Sequence, residues 1–174
     1  MKKAGVGVEK VLPFNFKLNY FELFDLPESF AIDLKLLRER MRELQKQCHP
    51  DRFINSTPQE KRISMQYTVF VNEAFTALKS PVTRAAYLLK LHDVDVEFEK
   101  NTAFSAAFLM QQMDWRERIE NDCSDEVTQE IESAENETMD TLERLFNKPD
   151  NESLLEAKEL TRQLKFYEKL RNDL

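Results

Sequence analysis

Pro50 interrupts two long amphipathic stretches, and no straight helix can run through it. A proline fixes its own φ, lacks an N–H donor and pushes the residue before it out of the α region. The helix that approaches from the N-terminal side must therefore stop at about Cys48. His49 and Asp51 are then presented on a turn and not on a helix face. With helices on both sides, the chain makes an αα-hairpin with His49-Pro50-Asp51 at its tip.

Both arms of the hairpin carry clear signals. Asp33 is an N-cap, flanked by Ile32 and Leu37 in the N′ and N4 positions of a hydrophobic staple. Leu34, Leu37, Met41, Leu44 and Cys48 recur at spacings of three and four, which predicts one buried stripe. The other faces of this helix carry Lys35, Arg38, Arg40, Arg42 and Lys46 against Glu39 and Glu43. This basic surplus runs directly into His49-Pro50-Asp51 and points to a docking surface. Arg52 to Thr57 is expected to be a polar, turn-rich loop. Thr57-Pro58-Gln59-Glu60 then combines an N-cap, a proline at N1 and a Glu at N3, a strong helix start. The stripe of the second helix is Ile63, Tyr67, Phe70, Val71, Ala74, Phe75 and Leu78. Before the hairpin, residues 1–18 have no clear period and are expected to form an extended or loosely held arm. Asn19 to Leu26 reads as a short helix ended by Pro27, with Tyr20, Phe21 and Phe24 packing on the hairpin. After it, Ser80-Pro81 stops the second arm and starts a shorter helix from Val82 to about Leu91.

Residues 93–101 form a connector, and three further helices are expected beyond it. They run from about Ala103 to Glu120, from about Ser124 to before Pro149, and from the Asp150/Asn151 cap towards the end. Short connections make antiparallel neighbours, hence a three-helix bundle. The expected core stripes are Val127, Ile131, Ala134, Thr138, Leu142 and Leu145, then Ala157, Leu160, Leu164 and Tyr167. The first helix has more apolar surface than a bundle needs. At ~100° per residue, Phe104, Phe108, Trp115 and Ile119 fall within about 60° of one another and form the core face. Leu109, Met110 and Met113 land roughly 100–180° away, with Asp114 and Glu117 beside them. Phe166 is likewise about 160° from Leu164 on the last helix. These residues form either a solvent-facing apolar patch with an acidic border, the usual form of a partner site, or a face buried against the N-terminal half.

Two glycines in 174 residues suit an all-α chain. Charge is uneven: to Val94 there are 15 basic and 11 acidic residues (net +4), and from Asp95 onward 10 and 21 (net −11). Such asymmetry suggests two modules with different partners, and the acidic half argues against nucleic acid. No apolar run approaches the ~20 residues of a membrane span. Glu9 and Lys10 interrupt the basic start before a secretory apolar region forms, so a soluble cytoplasmic protein is expected. Cys48 and Cys123 are far apart and there are only two histidines, so no disulfide framework, zinc site or other cofactor is expected. An enzyme using His49 and Asp51 as an acid–base pair with Cys48 as nucleophile is disfavoured. No Gly-rich loop accompanies them, and Cys48 falls on the apolar stripe.

His49-Pro50-Asp51 in this setting resembles the J domain of DnaJ-type co-chaperones, over about Asn19 to Lys79. Val71 to Leu89, Phe108 to Glu117 and Lys165 to Leu170 are similar to the corresponding stretches of the HscB family, the J-type co-chaperones of iron–sulfur cluster assembly. The resemblance implies an L-shaped all-α protein: an arm (1–18), a J domain with its following short helix (19–92), a connector (93–101) and a C-terminal three-helix domain (102–174). It further implies no enzymatic activity of its own. The J domain would stimulate the ATPase of a DnaK-type chaperone, HscA, through His49, Pro50, Asp51, Arg38, Arg42 and Lys46. The C-terminal domain would hold the cluster scaffold protein IscU through Leu109, Met110, Met113, Asp114, Glu117 and Phe166. Three residues depart from the family pattern: Cys48 where an aromatic is more usual, Arg52 where Lys is common, and Asn121 where a further scaffold-contacting Glu is expected. The alternatives are a general J-domain co-chaperone with a different client and a purely structural helical adaptor.

Overall fold

The computed structural model describes residues 14–98, 104–121 and 124–173, and all regular structure among them is helical. Seven α-helices follow in order: α1 (Tyr20–Leu23), α2 (Leu34–Cys48), α3 (Pro58–Lys79), α4 (Pro81–Leu91), α5 (Ala106–Glu120), α6 (Ser124–Asn147) and α7 (Asn151–Asp173). A single 3₁₀ turn, Pro50–Phe53, joins α2 to α3.

The cap residues start the helices where they should. Asp33 Oδ1 accepts the backbone N–H groups of Lys35 (2.8 Å) and Leu36 (3.1 Å). At α3, Thr57 Oγ1 accepts from the Glu60 N–H while the Glu60 carboxylate accepts from the Thr57 N–H. Each satisfies donors that a helix start leaves unpaired. Asn19 and Glu22 make the same box on α1, but that helix is only four residues long, shorter than the stretch to Leu26 expected from sequence. The Phe24, Asp25 and Leu26 amides bond back to carbonyls of α1, with Asp25 in the left-handed region (φ 51°), and the chain turns away. Further on, α5 begins at Ala106 because Ser105 caps it; Ala103 lies outside the described residues.

α2 and α3 pack as an antiparallel hairpin through Leu37, Met41 and Cys48 on one side and Tyr67, Val71, Ala74 and Leu78 on the other. Leu34, expected in this stripe, is exposed at the first position of α2, and Leu44 is half-buried at its edge. Residues 14–18 do not hang loose: Phe14 and Phe16 lie on the rings of α3, and residues 1–13 fall outside the described part. Phe53 corrects the polar-loop expectation, since it is buried.

α4 joins the two ends of the molecule. Val82, Ala85, Leu88 and Leu89 are buried where it lies against both α3 and α7. Beside it Phe30 stacks on Phe146 of α6, ring centroids 6.0 Å apart. Arg84 is almost sealed there, its guanidinium 5.2 Å above Phe30 and donating to the Leu78 carbonyl at 2.6 Å. Burial lowers its pKa to about 10. The core therefore runs without a break from Phe21 to Leu170. The connector is fastened to α7 by three cations. Arg162 Nε donates to the Val96 carbonyl (2.9 Å), Lys158 pairs with Glu97 (2.9 Å), and Lys165 Nζ sits 4.2 Å from the Phe98 ring centre.

Candidate functional site

The first surface is the hairpin tip. His49 ends α2 with an extended backbone (φ −59°, ψ 131°), as a residue before proline must. Its Nδ1 accepts the Asp51 N–H at 3.3 Å, so the imidazole is held by the turn it begins. The side chains of His49 and Asp51 remain 58% and 79% exposed. What holds the turn comes from elsewhere. The last carbonyl of α2, Cys48, has no helical partner; it accepts from Ser64 Oγ (2.6 Å) and faces Thr68 Oγ1 (3.3 Å) on α3. Arg52 donates to the Lys46 carbonyl at 3.2 Å.

Arg38, Arg42 and Lys46, four residues apart, form one exposed stripe along α2, and no ion pair to a described carboxylate engages them. Arg40 differs: it pairs with Asp25 (3.2 Å) and Glu43 (3.4 Å), so it does not belong to that stripe. Arg42, Gln45, Lys46, His49, Pro50 and Thr68 line an open groove of about 680 Å³ between α2 and α3. Cys48 is fully buried, its thiol directed at the Gln45 carbonyl, so the Cys-His-Asp nucleophile arrangement does not assemble.

The second surface is on α5. Phe108 and Trp115 point inward against Phe166 and Tyr167 of α7, with Phe104 and Ile119 half-buried beside them. Leu109, Met110 and Met113 point out, exposed by 44%, 72% and 70%. The alternative in which this face is covered by the N-terminal half is excluded. Asp114 and Glu117 are both exposed next to it. Asp114 accepts from Arg118 (3.3 Å), which also makes a two-pronged pair with Glu130 of α6 at 2.8 and 2.9 Å. The Arg118 hydrogen bonds, then that from Trp115 Nε1 (3.0 Å), hold the Glu130 carboxyl below the usual range. Asn121 caps α5: its N–H and side-chain amide both donate to the Glu117 carbonyl.

The sequence and the all-helical fold both have known relatives. A model of the HSCB C-terminal oligomerisation domain matches residues 105–174. Proteins named co-chaperone protein HscB homolog from Shewanella woodyi (40% identical), Shewanella loihica (42%) and Paraburkholderia xenovorans (41%) each align with 90% of the chain, and with 95%, 95% and 91% of their own lengths. The chain belongs to the HscB co-chaperone family. Human co-chaperone protein HscB superimposes with a TM-score of 0.81 at 26% identity, covering 92% of this chain and 82% of its own. The HscB chaperone from Vibrio cholerae gives 0.77 at 32%, covering 90% and 94%. Like its relatives, the chain is a co-chaperone, and its all-α fold is a J domain followed by a C-terminal helical domain.

The structure gathers the candidate residues into two groups. His49, Pro50, Arg42 and Lys46 meet at the groove, Asp51 stands exposed on the turn beside it, and Arg38 extends the stripe away from the tip. Leu109, Met110, Met113, Asp114 and Glu117 share one flank of α5. Phe166 departs from the expected exposed outlier. It is half-buried, edge-on to Phe108 (5.6 Å) and Tyr167 (6.3 Å), with Arg116 5.8 Å from its ring centre. It packs against the core-facing side of α5 and does not project into solvent. Sequence reading missed Arg118, Glu130 and Arg116; only the Asp114–Arg118 spacing of four signalled one of these contacts. Cys123 lies outside the described residues. Among those described, no three His, Cys, Asp or Glu side chains could hold a metal ion, and no helix is long and apolar enough to cross a membrane.

Proposed function

We propose that this chain works in the cytoplasm in iron–sulfur protein maturation, stimulating the ATPase of the DnaK-type chaperone HscA and delivering the scaffold protein IscU to it. The labour is divided between residues 19–92 and 102–174, linked by 93–101. The observation that carries the reading is the separation of two open surfaces on one continuous core. An uncompensated cationic stripe ends at exposed His49 and Asp51, and an acid-edged Leu/Met flank stands open on α5. Arg38, Arg42 and Lys46 steer the chain towards an acidic groove of the chaperone, a contribution that salt screens. His49 and Asp51 then bias the chaperone towards hydrolysis, while Leu109, Met110 and Met113 grip the scaffold, with Asp114 and Glu117 at the rim. Carrying both partners on one body raises the effective concentration of client at the chaperone.

His49→Gln is expected to abolish ATPase stimulation and leave scaffold binding intact; full stimulation by that variant overturns the J-domain half. Changing Leu109, Met110 and Met113 together to Ala is expected to weaken scaffold binding by at least about tenfold, the loss of a small cluster of buried anchors, with stimulation retained. Unchanged scaffold affinity overturns the other half. A general J-domain co-chaperone would instead bind unfolded clients with no preference for the scaffold. The oligomerisation named in the matching family model favours a second reading, in which the same Leu/Met flank meets a second copy of the chain. Sedimentation of wild type and the triple variant separates the two.

A further inference from the structure

The His49-Asp51 turn is gripped unequally at its two ends. On the α2 side three side chains, Ser64, Thr68 and Arg52, hold or face backbone carbonyls. On the other side stands Phe53, the one buried residue of the 3₁₀ turn. Its ring lies outside the continuous core, and its aromatic neighbour is Phe14 of the N-terminal arm, 6.1 Å away and edge-on. Phe14 in turn stacks flat on Tyr67 of α3, centroids 4.3 Å apart and planes 13° apart. Phe14 is half-buried, whereas Phe16 is 44% exposed in the turn that follows, where the Lys17 N–H donates to Asn15 Oδ1. Phe16 packs on Tyr67 and Phe70, and Tyr20 stacks on Tyr87 and donates its N–H to the Tyr87 hydroxyl. The described part of the arm is thus pinned on α3, with Phe14 set against Phe53, two residues from Asp51. Short 3₁₀ segments have poor hydrogen-bond geometry and little stability of their own.

We propose that Phe14 is a positioning residue for the His-Pro-Asp turn: wedged between Tyr67 and Phe53, it fixes the far end of the turn to α3 and so sets where His49 and Asp51 are presented. The functional part of this inference rests on the J-domain reading above; the structural part does not.

Amide hydrogen exchange and ATPase stimulation are measured on the full chain with Phe14→Ala, Phe14→Leu and Phe14→Tyr. In Phe14→Ala the Arg52 and Ser56 amides, which close the turn onto the His49 and Phe53 carbonyls, are expected to exchange about two- to tenfold faster, the range one aromatic pair is worth. Amides in the middle of α3 keep their protection. Maximal stimulation of the chaperone falls by a similar factor, the half-maximal concentration set by α2 does not move, and Phe14→Tyr restores both readouts. Phe14→Leu, which keeps apolar volume without the flat ring, reports the same effect at smaller amplitude should the alanine variant unfold. Unchanged exchange at Arg52 and Ser56, an increase spread evenly over the chain, or no rescue by Tyr overturns the proposal. If wild type itself fails to stimulate the chaperone, the J-domain reading fails, and the exchange data alone decide the positioning role.

Discussion

Ser64→Ala isolates what closes the C-terminal end of α2. Ser64 is fully buried and its hydroxyl donates to the Cys48 carbonyl at 2.6 Å. Removing one oxygen leaves almost no cavity, so the cost is the hydrogen bond itself. Thr68 moderates that cost. Its Oγ1 is 2.9 Å from the Ser64 carbonyl and 3.3 Å from the Cys48 carbonyl, and a hydroxyl has one proton to give. In wild type the shorter contact takes it; once Ser64 is gone, Thr68 can turn to Cys48. The single variant should lose only about 0.5–1 kcal/mol, the low end for a hydrogen bond with a substitute at hand. Thr68→Val alone should cost about as little, because Ser64 still serves the carbonyl. Together they strand a buried carbonyl and should cost about 2–3 kcal/mol, more than the sum of the singles by roughly 1 kcal/mol. Urea titration followed by far-UV circular dichroism at 25 °C measures this, and an unchanged m-value certifies that only stability moved. Additive losses would refute the shared-carbonyl argument, and a double variant as stable as wild type would refute the assignment of the cap.

Three other outcomes follow from the packing. Arg84→Met keeps the apolar stem but leaves the Leu78 carbonyl, an orphan at the end of α3, without its 2.6 Å donor; a loss of about 1–3 kcal/mol is expected in the same titration. Trp115 is the sole tryptophan, and its indole N–H donates to Glu130. The folded pKa of Glu130 lies below its unfolded value, so its contribution is present above the usual carboxylate range and is lost as pH falls through the lowered native value. Trp115 fluorescence should therefore titrate at a pH below that range, and Glu130→Gln should remove the transition. Changing Leu109, Met110 and Met113 together to Ala touches exposed side chains, so stability should move by no more than about 1 kcal/mol. A larger loss would show that this flank contributes to the fold.

Much of the fold was legible because its determinants are local. Asp33, Thr57-Pro58-Glu60 and Pro81 announce helix starts through the orphan donors they satisfy or lack, and these starts fall where expected. The Leu109/Met110/Met113 flank was legible for the same reason: a helix places residues around its axis at a fixed angle, so an apolar side group off the core stripe can be named without coordinates. Phe166 shows where that reasoning ends. The wheel gives its direction about α7, but whether that direction meets solvent or Phe108 depends on how α5 lies beside α7. The N-terminal arm was illegible for a related reason. Phe14 and Phe16 have no helical period, and their partners, Phe53, Tyr67 and Phe70, are 39 to 54 positions further along the chain.

The order of residues by itself determined seven helices, their polarity and the break at Pro50, since backbone sterics, capping and the 3.6-residue period act within a few positions of the chain. Only the folded body decided that α4 welds the two ends into one core, that Arg40 is neutralised by Asp25 while Arg42 and Lys46 pair with no described carboxylate, and that Phe14 braces the turn before α3. Those outcomes depend on which surfaces meet across long loops, and the free energy of such contacts is set by packing and desolvation at the interface, which no local pattern encodes.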